Sequence, residues 1–121
     1  MVYNNLFGSR GVSFFALEQL SRLHDGYKQS YTVAGQHLLL CQLEGQVFLI
    51  ENRCPHMDVP LSSATILPGA QLRCQAHGIA FDLNTGKAAG PLSDTLDCVK
   101  KFSPVYEGSQ IGIDLAELGA T

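Results

Sequence analysis

Two short runs constrain this 121-residue chain more than anything else in it: Cys54-Pro55-His56 and, after 17 intervening residues, Cys74-Gln75-Ala76-His77. Each run carries one thiolate and one imidazole. A pair one residue apart, as Cys54 and His56 are, can present both side chains on the same side of an extended or tightly turned loop, while Cys74 and His77 meet across a single turn. Pro55 fixes its own φ, and Pro60 biases Val59 towards extended backbone, so the first loop is stiffened before any metal arrives. Gly78 reads as the point where backbone comes close as the second loop turns back. Brought tip to tip, the loops offer Cys54, His56, Cys74 and His77 as the four ligands of one metal centre.

Two kinds of centre accept two sulfurs and two nitrogens. A [2Fe-2S] cluster in which one iron is held by both thiolates and the other by both imidazoles matches an even split of Cys and His between two loops. Tetrahedral zinc takes the same donors, but its usual spacings place Cys near Cys and His near His. A zinc-stabilised interaction module therefore stays open as an alternative reading.

Around the ligands, Cys54-Pro55-His56-Met57-Asp58-Val59-Pro60-Leu61-Ser62 and Cys74-Gln75-Ala76-His77-Gly78-Ile79-Ala80-Phe81-Asp82-Leu83-Asn84-Thr85-Gly86 closely resemble the Rieske ferredoxins, in particular those of ring-hydroxylating dioxygenases. The likeness extends upstream through 46–53 and downstream through Gly90-Pro91-Leu92, which is similar to the proline-bearing loop covering the cluster in that family. It implies one [2Fe-2S] cluster per chain, with Cys54 and Cys74 on a buried iron and His56 and His77 on an exposed one. Gln75 and Ala76 depart from the family pattern without touching the ligands. Rieske proteins of respiratory complexes carry a disulfide-forming Cys in each loop and a Ser after His-Gly; here Val59, Ala76 and Ile79 stand in those places. Fewer hydrogen bonds to the cluster imply a potential near the low end of the Rieske range, on the order of −150 mV. The resemblance also implies that loss of an outer imidazole proton lowers the potential at high pH.

The rest of the chain suits a small carrier. A length of 121 residues predicts one domain, 1–121, able to bury roughly 65% of its unfolded surface. No apolar run approaches the roughly 18 residues of a membrane span, and 16% charged residues fit a soluble chain. The first six residues lack a basic stretch and Glu18 follows the apolar run 12–17, so a signal peptide is not expected and cytoplasmic residence is. A net charge of −3 without a basic cluster argues against nucleic acid.

Turn signals separated by short apolar runs predict an all-β sandwich or barrel, which the resemblance implies is a small Rieske-type antiparallel fold with a cluster-binding subdomain of two loops, 53–64 and 73–90, at one end. Strands are expected at 11–16, 27–33, 37–43, 46–51, 79–82, 98–106 (with Pro104 marking an edge or bulge) and 110–115, with 87–88 facing 79–82, a short helical or irregular turn over 17–26 and tight turns at 44–45, 83–86 and 107–109. Cys41 and, less clearly, Cys98 read as small buried hydrophobes, His24 and His37 as turn or surface residues, and Asp82 and Thr85 as shapers of a turn.

After His77 the chain holds no further histidine, so the mononuclear two-His iron of an oxygenase has no candidate ligands. The expected role is a one-electron carrier, not an enzyme in itself, between an NAD(P)H-dependent flavin reductase and a terminal dioxygenase or monooxygenase. Docking is expected near His56, Met57, His77 and Pro91. A small subunit resembling that of assimilatory nitrite reductase is the alternative within the same family.

Overall fold

The computed structural model describes residues 13–55, 59–75, 78–89 and 98–119. Ten strands lie among them: β1 (Phe14–Gln19), β2 (Tyr27–Val33), β3 (Gln36–Leu43), β4 (Gln46–Glu51), β5 (Thr65–Leu67), β6 (Gln71–Arg73), β7 (Ala80–Asp82), β8 (Lys101–Phe102), β9 (Val105–Glu107) and β10 (Gln110–Asp114). Every strand pairing among the described residues is antiparallel. The all-β expectation holds.

The hairpins β2–β3 and β3–β4 set the frame. Their two-residue turns, Ala34-Gly35 and Glu44-Gly45, have positive φ throughout, the mirror-image geometry whose twist matches paired strands. β3 is an inner strand of the sheet β2-β3-β4-β8, and Leu38, Leu39, Leu40 and Cys41 are completely buried. Strand alternation sends Leu39, Cys41 and Leu43 to one core and Leu38 and Leu40 to another. An unbroken apolar run can fold as a strand here because both of its faces are covered.

One cover is the sheet β1-β10-β9, whose Ile111 and Ile113 pack with Leu38, Leu40, Leu49 and Phe102. Tyr27 ties the two sheets, its hydroxyl donating to Glu18 Oε2 at 2.8 Å while lying 2.8 Å from the Tyr31 hydroxyl. The other cover is the small sheet β5-β6-β7, which brings Leu72 and Phe81 onto Leu39, Cys41, Phe48 and Ile50. The two cysteine-bearing loops leave the ends of β4 and β6, so the small sheet is the scaffold of the expected subdomain.

Three expectations need correction. Among the described residues the first strand runs from Phe14 to Gln19, three residues further than expected, with an irregularity in its pairing between Ala16 and Glu18; a short 3-10 turn, Leu20–Arg22, follows. The single strand expected over 98–106 is two, β8 beside β4 and β9 beside β10, because Pro104 lacks a ladder donor and the chain changes sheets around it. The hairpin β5–β6 was not expected at all. Within 73–90, the strand expected at 79–82 forms as β7, and Ala88 bridges back to Phe81 across the 83–86 turn as expected.

Candidate metal centre

Both loops open in the same way. Arg53 and Arg73 precede the cysteines, and each cysteine N–H donates to a carbonyl five residues on, Cys54 to Val59 and Cys74 to Ile79, both at 2.8 Å. The chain thus doubles back immediately after each thiol. In the second loop Gly78 N–H also donates to the Cys74 carbonyl at 2.9 Å. Gly78 has φ of +71°, and a Cβ there meets no described atom within 4 Å. Its left-handed backbone is one that glycine adopts without strain.

Cys54 is fully buried and Cys74 is 1% exposed. They share one apolar cluster with Leu61, Leu72, Phe81 and Leu83, and Val59 and Ile79 pack against it. The four cysteines form no disulfide with one another. Two buried thiols at the mouths of matched loops, wrapped in apolar side chains, are a donor set suited to a metal centre from which water is excluded. His56, His77, Met57 and Pro91 lie outside the described residues, as does the whole of the expected covering loop, Gly90-Pro91-Leu92. Among the described residues no group of three or more His, Cys, Asp or Glu side chains is gathered to hold a metal. The structure therefore places two of the four expected ligands in one apolar cluster.

The other two cysteines differ sharply. Cys41 is in the same cluster, and burial pushes its thiol up to about 12, which leaves it protonated and unreactive. Cys98 is exposed, contrary to expectation, and 98–100 lie outside any strand. His24 and His37 are exposed, as expected, with Nδ1 near the Asp25 carbonyl and the Thr32 hydroxyl, each at 3.1 Å.

The second loop returns through a turn built as its residue types suggest. Asp82 Oδ1 accepts from Asn84 N–H at 2.8 Å, its carbonyl accepts from Gly86 N–H at 2.6 Å, and Thr85 Oγ1 accepts from Lys87 N–H at 3.1 Å. Gly86 has φ of +81°, and a Cβ there would lie 2.7 Å from the Val99 carbonyl oxygen. The same close approach brings Val99 N–H to the Gly86 carbonyl at 2.7 Å, fastening the turn to the segment before β8.

The first loop returns differently. Its exit, the 3-10 turn Leu61–Ser63 followed by Ala64, is held by side chains from the large sheet. Lys28 Nζ in β2 donates to the Ser62 carbonyl at 2.8 Å and the Ala64 carbonyl at 2.6 Å. Asn52, just after β4, accepts from Ser62 N–H at 2.8 Å. Burial is the largest cause lowering the Lys28 ammonium below its ordinary range. Nothing local in the sequence marks these residues, since 34 and 36 positions separate Lys28 from the carbonyls it serves. Asn52 and Pro60 also line a groove of about 510 Å³ beside this loop, together with Gly35 and His37.

An all-β scaffold presenting buried cysteines from two matched loops defines a class: a small iron-sulfur protein of the mixed Cys/His kind. The sequence matches the Rieske [2Fe-2S] domain over residues 13–103. It is 31% identical over 106 residues to the ferredoxin component of the naphthalene 1,2-dioxygenase system of Pseudomonas putida, covering 87% of this chain and 98% of that one. Its fold is similar to the ferredoxin of carbazole 1,9a-dioxygenase from Nocardioides aromaticivorans IC177, with a TM-score of 0.72 at 20% identity over 84% of this chain and 96% of the other. It is similar, too, to a chain from a complex of reduced oxygenase and oxidised ferredoxin in carbazole 1,9a-dioxygenase, with a TM-score of 0.72 at 21% identity over 84% and 93%. The chain belongs to the Rieske [2Fe-2S] family, and its cofactor is a [2Fe-2S] cluster. The zinc reading is set aside.

Proposed function

We propose that this protein is a one-electron carrier, not itself an enzyme, that takes electrons from an NAD(P)H-dependent flavin reductase and delivers them to a terminal oxygenase in the cytoplasm. Cys54 and Cys74 hold the inner iron and His56 and His77 the outer one, and the chain 1–121 works as one domain around them. The observation supporting this most strongly is the pair of buried cysteines, each opening a loop closed by the same backbone hydrogen bond, in a chain 31% identical to a dioxygenase-system ferredoxin.

The [2Fe-2S] group, when bound, supplies a one-electron couple. The protein's part is to hold that couple in a fixed, dry setting and to bring it near a partner. Leu61, Leu72, Phe81 and Leu83 keep water from the thiolate side, which limits reorganisation when charge moves. The backbone closures at Val59 and Ile79 fix where each thiolate points. Docking is assigned to the neighbourhood of His56, Met57, His77 and Pro91, on the family resemblance that makes the histidine-bound iron the outer one and so the shorter path for an electron.

The test is reconstitution. Purified chain is added to a ring-hydroxylating dioxygenase and its flavin reductase from which the native ferredoxin has been left out. The carrier reading expects NADH-dependent product to appear in proportion to added chain and to vanish with His56→Ala. If the photoreduced protein is reoxidised by no oxygenase, or the reductase leaves it oxidised, the reading fails.

A further inference from the structure

We propose that Lys28 and Asn52 are positioning residues for the cluster: they latch the exit of the first loop to the large sheet, holding the Cys54–His56 half of the centre against the Cys74–His77 half. The inference rests on the ligand assignment above and adds to it two residues outside both ligand motifs.

The geometry is economical. The first loop is closed at its base by the Cys54 to Val59 hydrogen bond, which leaves the stretch from Pro60 to Ala64 to carry the chain back. Leu61 is fully buried and Ala64 is 5% exposed, with Ser62 half-buried between them, so the carbonyls of Ser62 and Ala64 are partly shielded from water. A carbonyl shielded from water needs a donor. Lys28 supplies two donors from a single ammonium, to Ser62 and Ala64. Among the described residues it has no carboxylate partner. The Asn52 carboxamide grips Ser62 as well, accepting from its N–H at 2.8 Å and standing 3.5 Å from its hydroxyl. Ser62 is thus held from two places on one sheet.

Charge gives the latch a second consequence. Lys28 is the cross-strand partner of Cys41 and so lies on the face of the sheet where Cys41 joins Cys54 and Cys74 in one core. A fixed positive charge on that face favours the form of the centre that has gained an electron, and because Lys28 is half-buried the attraction is only partly screened.

The test uses the cluster-loaded protein and four variants, Lys28→Met, Lys28→Gln, Lys28→Arg and Asn52→Leu, with Lys87→Met at an exposed lysine as control. Three quantities are read: midpoint potential, the EPR spectrum after dithionite, and the rate of cluster release to a chelator. Lys28→Met is expected to shift the potential downward, broaden the EPR signal and release its cluster roughly tenfold faster, the effect of losing a charge-assisted hydrogen bond to partly buried acceptors. Lys28→Gln keeps a donor but not the charge and lowers the potential with a smaller change in release. Lys28→Arg keeps the potential. Asn52→Leu speeds release without shifting the potential, and Lys87→Met matches wild type. The latch is overturned if Lys28→Met and Lys28→Gln both match wild type in potential and spectrum, or if Lys28→Arg is as impaired as Lys28→Met. A wild-type protein that binds no iron would sink the ligand assignment and the latch together, whereas a normal wild-type cluster indifferent to Lys28 sinks the latch alone.

Discussion

The two cysteine loops begin alike and end differently. Each opens with Arg-Cys and doubles back through a cysteine N–H to a carbonyl five residues on. The second then passes into β7, where backbone pairing with β6 and the Asp82 turn hold it. The first passes into a 3-10 turn and is held there by the side chains of Lys28 and Asn52. One half of the site is secured by a ladder any strand-forming sequence could make, and the other by particular side chains reaching in from the large sheet. Substitution should therefore threaten the first loop through a few side chains and the second through its backbone geometry.

The largest expected effect tests what the loops share. Cys54→Ala and Cys74→Ala should each abolish cluster binding, measured as iron and acid-labile sulfide per chain, while Cys41→Ala and Cys98→Ala retain the full complement; a Cys41 variant without iron would break the pairing of the two loops. Next come the buried anchors, one for each loop. Leu61→Ala and Phe81→Ala should cost about 2–5 kcal/mol each in denaturant unfolding, because both side chains are fully buried. A cost below about 1 kcal/mol for Leu61 would mean that the first loop's exit is not packed as described. A smaller loss, about 1–3 kcal/mol, is expected for Gly86→Ala, which combines a positive φ with a close backbone carbonyl. It should appear in the second loop's turn as faster amide exchange at Val99. The smallest is Gln75→Ala, at an exposed side chain 3.1 Å from the Thr65 hydroxyl, expected to stay within about 0.5 kcal/mol of wild type.

The same contrast separates the features that are legible in the sequence from those that are not. The ligand spacing, the hairpins around Ala34-Gly35 and Glu44-Gly45, and the Asp82 turn all express local chemistry, and the hairpins and the turn form where residue types put them. β5 and β6 are three residues each, too short for a period of two to show, although Pro68-Gly69 between them is a turn signal that marks the hairpin. Pro104 is legible as an irregularity, but not as the place where the chain leaves one sheet for another, because that depends on which strands lie alongside. Cys98 resembles Cys41 by neighbouring residue type alone. Only Cys41 lies on an inner strand with both faces covered. Lys28 carries no signal, since its acceptors are main-chain carbonyls that any residue provides.

The central claim is that two cysteines and two histidines, one pair from each loop, hold the cluster. Pulsed EPR on the dithionite-reduced protein tests it most directly, because an imidazole bound to iron imprints a nitrogen hyperfine coupling that a thiolate cannot. Two directly bound nitrogens in the wild type, with one lost in His77→Cys, are the predicted result. A reduced signal without nitrogen coupling, with Cys41 or Cys98 required for iron binding, would contradict the account.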